Sequence, residues 1–370
     1  MTTRSAVIVL PLPVAKMRHV TALDGFRGCA VLLVILMHYL PHSGLGPFAT
    51  IGSMGWTGVD AFLVLSAYLI TSILYRQRGT EDFYQNFYMR RALRLFPLYY
   101  FILLLTVAST PLLHIHWRLG HVPLFLYATN YALAKDQSLA FLGPLNFGHL
   151  WSLALEEQFY LLWPWLIGSR LSRNTLVRIC WIGMAVTLCL RIMLVRYQVN
   201  GLFMYESLPT RIDSLFAGSL LALTPLPSAR TAWIGLMSAT AVLAAAVVSA
   251  NTSSPLTSKP LMTLGYSVLA VLYASLLTLG LHEQTLIARF LSRRVLRFYG
   301  KYSYGLYLWH FIFNAQVHHF TGWMATVISV SAAASLLSFM IVLLGLTAIA
   351  MLSFRFVEAP FLRLKNRYEC

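Results

Sequence analysis

Ten apolar runs, separated by short polar segments, decide what this chain of 370 residues can fold into. All but the short run 211–224 are long enough for a helix that crosses a ~30 Å hydrocarbon layer. Since 58% of the residues are hydrophobic and only 11% are charged, a water-soluble domain could not cover the apolar surface. The sequence therefore predicts an all-α, polytopic membrane helix bundle. The predicted spans are residues 22–41, 56–75, 95–113, 149–168, 177–196, 211–224, 231–250, 261–281, 303–320 and 325–352.

Basic side chains are concentrated in alternate loops, and this alternation orients the bundle. Loops rich in lysine and arginine stay on the cytoplasmic side, so both termini are predicted to be cytoplasmic. Treating the apolar run 122–134 as an eleventh span would reverse every later loop, so we interpret that run as re-entrant or interfacial on the outer side. The net charge of +16 follows from this topology and does not indicate a nucleic-acid partner. The basic loop residues include Arg4, Lys16, Arg18, Arg76, Arg78, Arg90, Arg91, Arg94, Arg293, Arg294, Arg297, Arg363, Lys365 and Arg367.

The chain contains no repeat and no segment that reads as a separate soluble domain. We therefore expect one integral membrane domain over residues 1–370, without a fused extracytoplasmic domain. The spacing of Cys29, Cys180, Cys189 and Cys370 favours neither disulfides nor a zinc site.

Arg27 and His38 are the first candidate functional pair. They are eleven positions apart in the first span, so they share a helix face and lie roughly 16 Å apart along the axis. Arg27 is then near one membrane surface, while His38 lies at a depth where an ionisable group is costly. A functional site is the default hypothesis, and a hydrogen bond to a neighbouring helix is the structural alternative.

Acidic residues are predicted in the same outer half of the bundle. Counting residues along the fourth span puts Glu156 and Glu157 at a depth similar to that of His38, with Asp60 in the same layer. Adjacent residues point about 100° apart, so only one of the two glutamates could face the histidine directly. A carboxylate beside an imidazole is typical of a general base. The rim of this layer is predicted to contain Arg211 and Asp213.

Arg91 and Arg94 lead into the third span on the side of Arg27. At positions i and i+3 they share a helix face, and guanidinium groups bind phosphate oxygens well. Three arginines around a cytoplasmic mouth suit a ligand that carries pyrophosphate. Contact with lipid headgroups is the simpler alternative. His310, in the ninth span, is interpreted first as a hydrogen-bonded bundle residue.

Six short motifs together resemble those of the acyltransferase-3 family of bacterial integral membrane acyltransferases. The resemblance covers nearly the whole chain, and one departure is Ala67, where the family usually has glycine. The motifs are Leu23-Asp24-Gly25-Phe26-Arg27-Gly28 with His38; Gly58-Val59-Asp60 through Thr71; Arg91-x-x-Arg94; Trp151-Ser152-Leu153-Ala154-Leu155-Glu156-Glu157-Gln158-Phe159-Tyr160; Ser303-Tyr304-Gly305-Leu306-Tyr307-Leu308-Trp309-His310; and Glu358-Ala359-Pro360.

The resemblance implies ten membrane helices in the bacterial cytoplasmic membrane, a cytoplasmic acyl-coenzyme A donor and an acceptor hydroxyl at the outer face. It also implies that Arg27 and His38 are essential and that Arg91 and Arg94 help to bind the donor. The acyl group expected is acetyl, and the acceptor expected is a glycan or glycolipid.

These observations lead to one mechanistic hypothesis and two competing function classes. The hypothesis makes His38 the general base, with Glu156 or Glu157 orienting it, and needs no metal because a thioester is already activated. Direct transfer and an acyl-His38 intermediate both fit. A transporter or lipid flippase would also place ionisable groups at mid-membrane. A non-catalytic membrane partner would tolerate the loss of His38. The sequence does not indicate an oligomeric state.

Overall fold

The structure is a computed structural model that describes residues 20–40, 52–328 and 331–368. Arg4, Lys16, Arg18 and Cys370 lie outside these ranges, so the residues nearest to both predicted cytoplasmic termini are not described. Within them the chain is almost entirely helical. The exception is a hairpin of two-residue strands, β1 (Phe141–Leu142) and β2 (Leu145–Asn146), which pair antiparallel. The turn requires Gly143, whose φ of 58° lies in the left-handed region.

In the first three quarters of the chain the helices follow the predicted spans, except that the third helix begins at Phe83, twelve residues before the predicted start at 95, and so includes Arg90, Arg91 and Arg94. In chain order the α-helices are α1 (Thr21–Tyr39), α2 (Gly58–Gln77), α3 (Phe83–Ala108), α4 (Thr110–Leu113), α5 (Val122–Phe125), α6 (Thr129–Lys135), α7 (Trp151–Gly168), α8 (Arg173–Arg196), α9 (Gly201–Glu206), α10 (Leu208–Leu223), α11 (Ala229–Ala250), α12 (Tyr266–Leu281), α13 (Leu286–Leu291), α14 (Arg294–Lys301), α15 (Ser303–Trp309), α16 (Asn314–Val327), α17 (Ser331–Ser353) and α18 (Ala359–Leu364). A 3₁₀ turn at Met54–Thr57 leads into α2, and π-helical turns at Leu261–Gly265 and Phe354–Glu358 adjoin α12 and α18.

Seven segments of the described ranges are long and apolar enough to cross a membrane. They are Thr21–Tyr39, Met54–Gln77, Phe83–Ala108, Arg173–Arg196, Ala229–Ala250, Leu261–Leu281 and Ala334–Leu364. The chain is thus a multi-pass membrane protein. Three predicted spans, 149–168, 211–224 and 303–320, fall outside this set. The total of ten and the cytoplasmic orientation of the termini stay predictions.

The predicted ninth span, 303–320, is wrong as a single helix. It is broken after α15, and two backbone carbonyls in the break accept hydrogen bonds from elsewhere in the fold. The Tyr39 hydroxyl donates to the carbonyl of His310, and the Asn146 amide donates to the carbonyl of Ile312 at 2.9 Å. These tertiary hydrogen bonds hold the break between α15 and α16 against α1 and the hairpin. The next helix, α16, runs on to Val327, so the predicted start of the tenth span at 325 is also wrong.

The run 122–134 forms two short helices, α5 and α6, and neither is long enough to cross a membrane. These helices, the hairpin and the turns between them form a region of residues 114–150 that packs against one end of the bundle. Its buried side chains include Leu124, Asn130, Leu133, Leu142 and Phe147.

The helix α2 lies at the centre of the bundle. It belongs to the segment with the largest buried share among the seven, 72%. Polar side chains connect it to its neighbours: Thr71 donates to Ser219 of α10 at 2.9 Å and accepts from the indole of Trp163 of α7 at 2.8 Å. Such hydrogen bonds between helices fix their register where apolar packing alone is not specific.

Candidate active site

Arg27, Arg91 and Arg94 lie together, at a cavity of about 240 Å³ on one side of the bundle. Arg27 comes from α1, and the other two come from adjacent turns of α3. The rest of the lining is mostly apolar and includes Phe62 and Leu65 of α2. The structure therefore brings the three predicted donor-binding residues to one space.

Glu156 and Glu157 of α7 both lie against Arg91. Its Nη2 is 3.6 Å from Oε2 of Glu156, and its Nε donates to Oε1 of Glu157 at 3.3 Å. The guanidinium also lies 3.7 Å over the ring of Tyr160, which donates to Glu156 at 2.9 Å. Ser66 donates to the other oxygen of Glu156 at 3.2 Å. Glu156 thus lines the arginine cavity, and Glu157 lies beside it, against Arg91.

This location corrects the predicted pairing of a glutamate with His38. The depth count took the start of the fourth span as the outer surface. In the structure His149, just before α7, is buried at the level of His38, since the rings of both lie 5.1 Å from that of His310. Glu156 follows His149 by seven residues, roughly 10 Å further along the helix axis. Residues within 137–148 of the region 114–150 line the same cavity as His149, so the start of α7 is covered by this region and is not at the surface.

The other two arginines differ in their ion pairs. Arg27 lies 3.6 Å from Asp24, one turn earlier on α1. Arg94 makes neither an ion pair nor a hydrogen bond to any part of the chain that the structure describes. A half-buried guanidinium without a carboxylate partner is well suited to accept an anionic ligand.

His38 lies at a second cavity, of about 270 Å³. Its Nδ1 is 2.7 Å from the carbonyl of Val34, which can only accept. In the neutral imidazole that contact assigns the proton to Nδ1 and makes Nε2 the basic nitrogen. The ring centroid lies 5.1 Å from that of His310 and 4.5 Å from that of Phe311.

Two further histidines line this cavity. His310 donates from Nδ1 to the carbonyl of Tyr307 at 2.6 Å, and its buried Nε2 has no partner among the described residues. Nε2 of His149 is 3.0 Å from the carbonyl of Leu308. Its buried Nδ1 also has no hydrogen-bond partner among the described residues. The two rings are 5.1 Å apart. Sequence reasoning assigned His310 to bundle packing and did not single out His149, although His310 ends one quoted motif and His149 lies two residues before another.

Glu206, at the end of α9, also lines the histidine cavity. Its side chain is 5% exposed, and its Oε2 has no partner within the described ranges. Burial raises the pKa of this carboxyl to about 8. Sequence reasoning missed it, because a lone glutamate in a short polar segment carries no signal of burial.

The two cavities meet at Val59 and Tyr307, which line both. The Tyr307 hydroxyl lies 2.5 Å from that of Ser152 and donates to the carbonyl of His149 at 3.1 Å. The arginine cavity and the histidine cavity are therefore separated by a wall that is one side chain thick.

Asp60 lies in neither cavity. Its two carboxylate oxygens each accept from Nη2 of Arg211 at 2.8 Å, and one also accepts from Ser214 at 2.9 Å. Asp213 pairs with Arg191 at 2.9 Å, and all four charged side chains are fully buried. Asp60, predicted in the layer of His38, and Arg211 and Asp213, predicted at its rim, thus belong to a sealed ionic cluster and line neither cavity.

No group of three or more histidine, cysteine, aspartate or glutamate side chains in the described ranges is arranged to hold a metal ion.

A family model for the acyltransferase domain matches residues 20–356. The chain belongs to the acyltransferase 3 family. A Staphylococcus aureus strain COL protein that is provisionally named an O-acetyltransferase is 30% identical over 369 residues, which cover 94% of this chain and 58% of that protein. O-acetyltransferase OatA of strain NCTC 8325 is 28% identical over 93% of this chain and 57% of its own length. The chain therefore spans less than two thirds of these relatives. No solved structure matches it.

Family membership confirms the resemblance inferred from the six motifs. The paired positions Arg27 and His38 lie on α1 as the helical spacing predicted, one at each cavity. The motif around Ser303–His310 supplies Tyr304 and Tyr307 to the arginine cavity and His310 to the other.

Proposed function

We propose that this protein is a membrane O-acyltransferase. It moves an acetyl group from acyl-coenzyme A, bound from the cytoplasm, to a hydroxyl group of a glycan or glycolipid at the outer face of the bacterial cytoplasmic membrane. The single observation that carries the proposal is the pair of cavities that meet at Val59 and Tyr307, one lined by arginines and the other by histidines. Relatives that are named O-acetyltransferases support the same reaction.

The donor binds on the arginine side. Its pyrophosphate is held by charge-assisted hydrogen bonds from Arg27, Arg91 and Arg94, which suit phosphate oxygens. The acyl-pantetheine arm extends along the apolar wall formed by Phe62 and Leu65. Because Arg27 and His38 are roughly 16 Å apart on one helix, an extended arm reaches from the phosphates to the histidines.

His38 is the general base. Its Nδ1 is held by the Val34 carbonyl, so Nε2 accepts the proton of the acceptor hydroxyl. The oxygen attacks the thioester carbonyl, the carbon–sulfur bond breaks, and the coenzyme A thiolate leaves. The thiolate then takes up the proton, which restores the neutral imidazole. The Glu156 and Glu157 carboxylates hold Arg91, and so act on the donor side of the reaction.

The chemistry of the histidine cavity supports a polyhydroxylated acceptor. Buried polar atoms of Glu206, His149 and His310 lack partners in the described part of the chain, and each could hydrogen-bond a hydroxyl group. Leaving such atoms unsatisfied is costly, so a ligand that pairs with them is stabilised. Aromatic side chains, which pack against sugar rings, complete the lining; they are Trp56, Phe141, Trp151 and Tyr205.

The test uses purified protein in nanodiscs, radiolabelled acetyl-coenzyme A and a glycolipid extract of the native membrane. His38→Ala should lower transfer by about 10²–10⁴-fold while donor binding stays near the wild-type value. Arg27→Ala should instead weaken donor binding. The matched control is His319→Ala, an exposed histidine that lines neither cavity.

Three outcomes would contradict the proposal. Near-normal turnover in a well-folded His38→Ala protein would exclude His38 as the general base. Equal loss of donor binding in the His38→Ala and Arg27→Ala variants would contradict the assignment of donor binding to one cavity and catalysis to the other. Movement of a lipid or solute without consumption of acetyl-coenzyme A would identify a transporter or flippase.

A further inference from the structure

A third cavity, of about 410 Å³, lies outside the site described above. It is lined by Asp24 of α1 and by Arg294, Arg297, Phe298 and Lys301, all on or at the end of α14. The three basic residues are spaced i, i+3 and i+7, so they form one helix face about 10 Å long. Three cations therefore face a single carboxylate.

One of these cations is incompletely satisfied. Nε of Arg297 is buried and has no hydrogen-bond partner in the described ranges. Neither Arg294 nor Arg297 forms an ion pair with any described residue. A surplus of positive charge with a buried, unused donor is the pattern expected of a site for a phosphate group.

The position of α14 is fixed against α1. A Cβ on Gly300 would lie 1.8 Å from the backbone oxygen of Asp24, so only glycine permits this contact. On the same stretch of α1, Asp24 pairs with Arg27 at 3.6 Å. Because Arg27 lines the donor cavity and Asp24 lines the third one, the two cavities adjoin the same ion pair.

We propose that this third cavity binds the 3′-phosphate on the ribose of the donor coenzyme A. The inference rests on the proposed function, and it extends the donor site from the pyrophosphate to the nucleotide end. A phosphate monoester carries a charge of about −1.5 to −2, which matches the surplus of Arg294, Arg297 and Lys301. Phe298 offers a ring beside this phosphate for the adenine base. A phospholipid headgroup has the same phosphate chemistry, so the experiment must separate the two sources.

The test compares binding of coenzyme A and of 3′-dephospho-coenzyme A by calorimetry, in nanodiscs made only of zwitterionic lipid. The wild-type protein should prefer coenzyme A by about tenfold to a hundredfold, as expected for charge-assisted contacts to one phosphate. The double variant Arg294→Gln, Arg297→Gln should lose this preference and keep its affinity for the dephospho form. The single variant Lys301→Gln should lower the preference in part, and it serves if the double variant folds poorly.

The matched control is Arg289→Gln with Arg293→Gln, which removes the same charge from the preceding segment without touching the cavity. Equal affinity of the wild-type protein for both coenzymes would overturn the assignment. So would an unchanged preference in the Arg294/Arg297 variant. Loss of co-purified anionic lipid from that variant, with no change in the coenzyme preference, would assign the cavity to a lipid headgroup and also overturn it.

Failure of this inference can be told apart from failure of the proposed function. Absence of acetyl transfer with either donor would contradict the enzyme assignment, whereas the ratio of the two binding constants tests the third cavity even if turnover is zero.

Discussion

Two clusters of arginines and carboxylates involve α2, one through Asp60 and the other through Ser66. They differ in how completely their charged side chains are buried. In the first, Asp60, Arg211, Asp213 and Arg191 are fully buried, and their ion pairs are 2.8 and 2.9 Å long. In the second, Arg91 pairs with Glu156 and Glu157 at 3.6 and 3.3 Å, and these side chains are still 15–16% exposed.

The buried cluster also has more polar contacts than the partly exposed one. Asp60 also accepts from Ser214, Asp213 accepts from Ser267 at 2.8 Å, and the Arg211 guanidinium stacks 4.0 Å over Tyr266. The second cluster faces a cavity and adjoins Arg94, which has no ion-pair partner in the described ranges. Similar residue types therefore serve two purposes: a sealed cluster holds helices together, and an open one is available to a ligand.

The sealed cluster gives the largest expected effect. Arg211→Met leaves Asp60 as a buried, unpaired carboxylate, which should cost about 3–5 kcal/mol of folding free energy. The measurement is thermal unfolding in detergent, with the exposed Arg230→Met as the control. The double variant Asp60→Leu, Arg211→Met should recover part of the stability, because removing both charges leaves neither one uncompensated.

The same experiment separates a structural from a catalytic Asp60. If the Arg211→Met protein unfolds at the wild-type temperature but no longer transfers acetyl groups, the sealed cluster belongs to the reaction and the comparison fails.

The open cluster gives a smaller effect, on donor binding. Arg94→Gln should weaken acetyl-coenzyme A binding by about 1.5–3 kcal/mol, since a charge-assisted contact to phosphate is lost. Folding should be unchanged, because the Arg94 side chain has no ion pair to break within the described part of the chain. Arg90→Gln, on the same helix but outside the cavity, is the control for calorimetric titration. A donor affinity equal to that of the control would leave Arg94 as a topology or lipid-contact residue.

The sequence predicted the parts of this site that depend on one helix at a time. The spacing of Arg27 and His38 and the shared face of Arg91 and Arg94 follow from helical geometry. The structure places the first pair on α1 and the second pair on α3. The partners of Asp60 did not follow, because Arg211 comes from a helix 151 residues further along the chain.

The histidine cavity was hardest to predict, since it depends on contacts between distant segments. The helix breaks at His310, where Tyr39 and Asn146 donate to the backbone carbonyls of His310 and Ile312, and neither partner is visible in the local pattern. His149 is buried because it packs against Tyr307, His310 and Phe311 from the far end of the chain, which hydropathy along α7 does not reveal.

The smallest expected effect concerns Glu156. If it holds Arg91, as its contacts indicate, it also competes with the donor phosphates for that guanidinium and repels them. Glu156→Gln should then tighten acetyl-coenzyme A binding by less than about tenfold, because the partly exposed charge is screened, and Glu157 still fixes Arg91. Turnover at saturating donor should change little, because Glu156 is roughly 10 Å along α7 from the level of His149. If Glu156 instead orients His38, the same substitution should lower turnover with an unchanged donor affinity. Measuring the two constants separately, with the exposed Glu81→Gln as the control, decides whether this carboxylate belongs to the arginine cavity or to the histidine cavity.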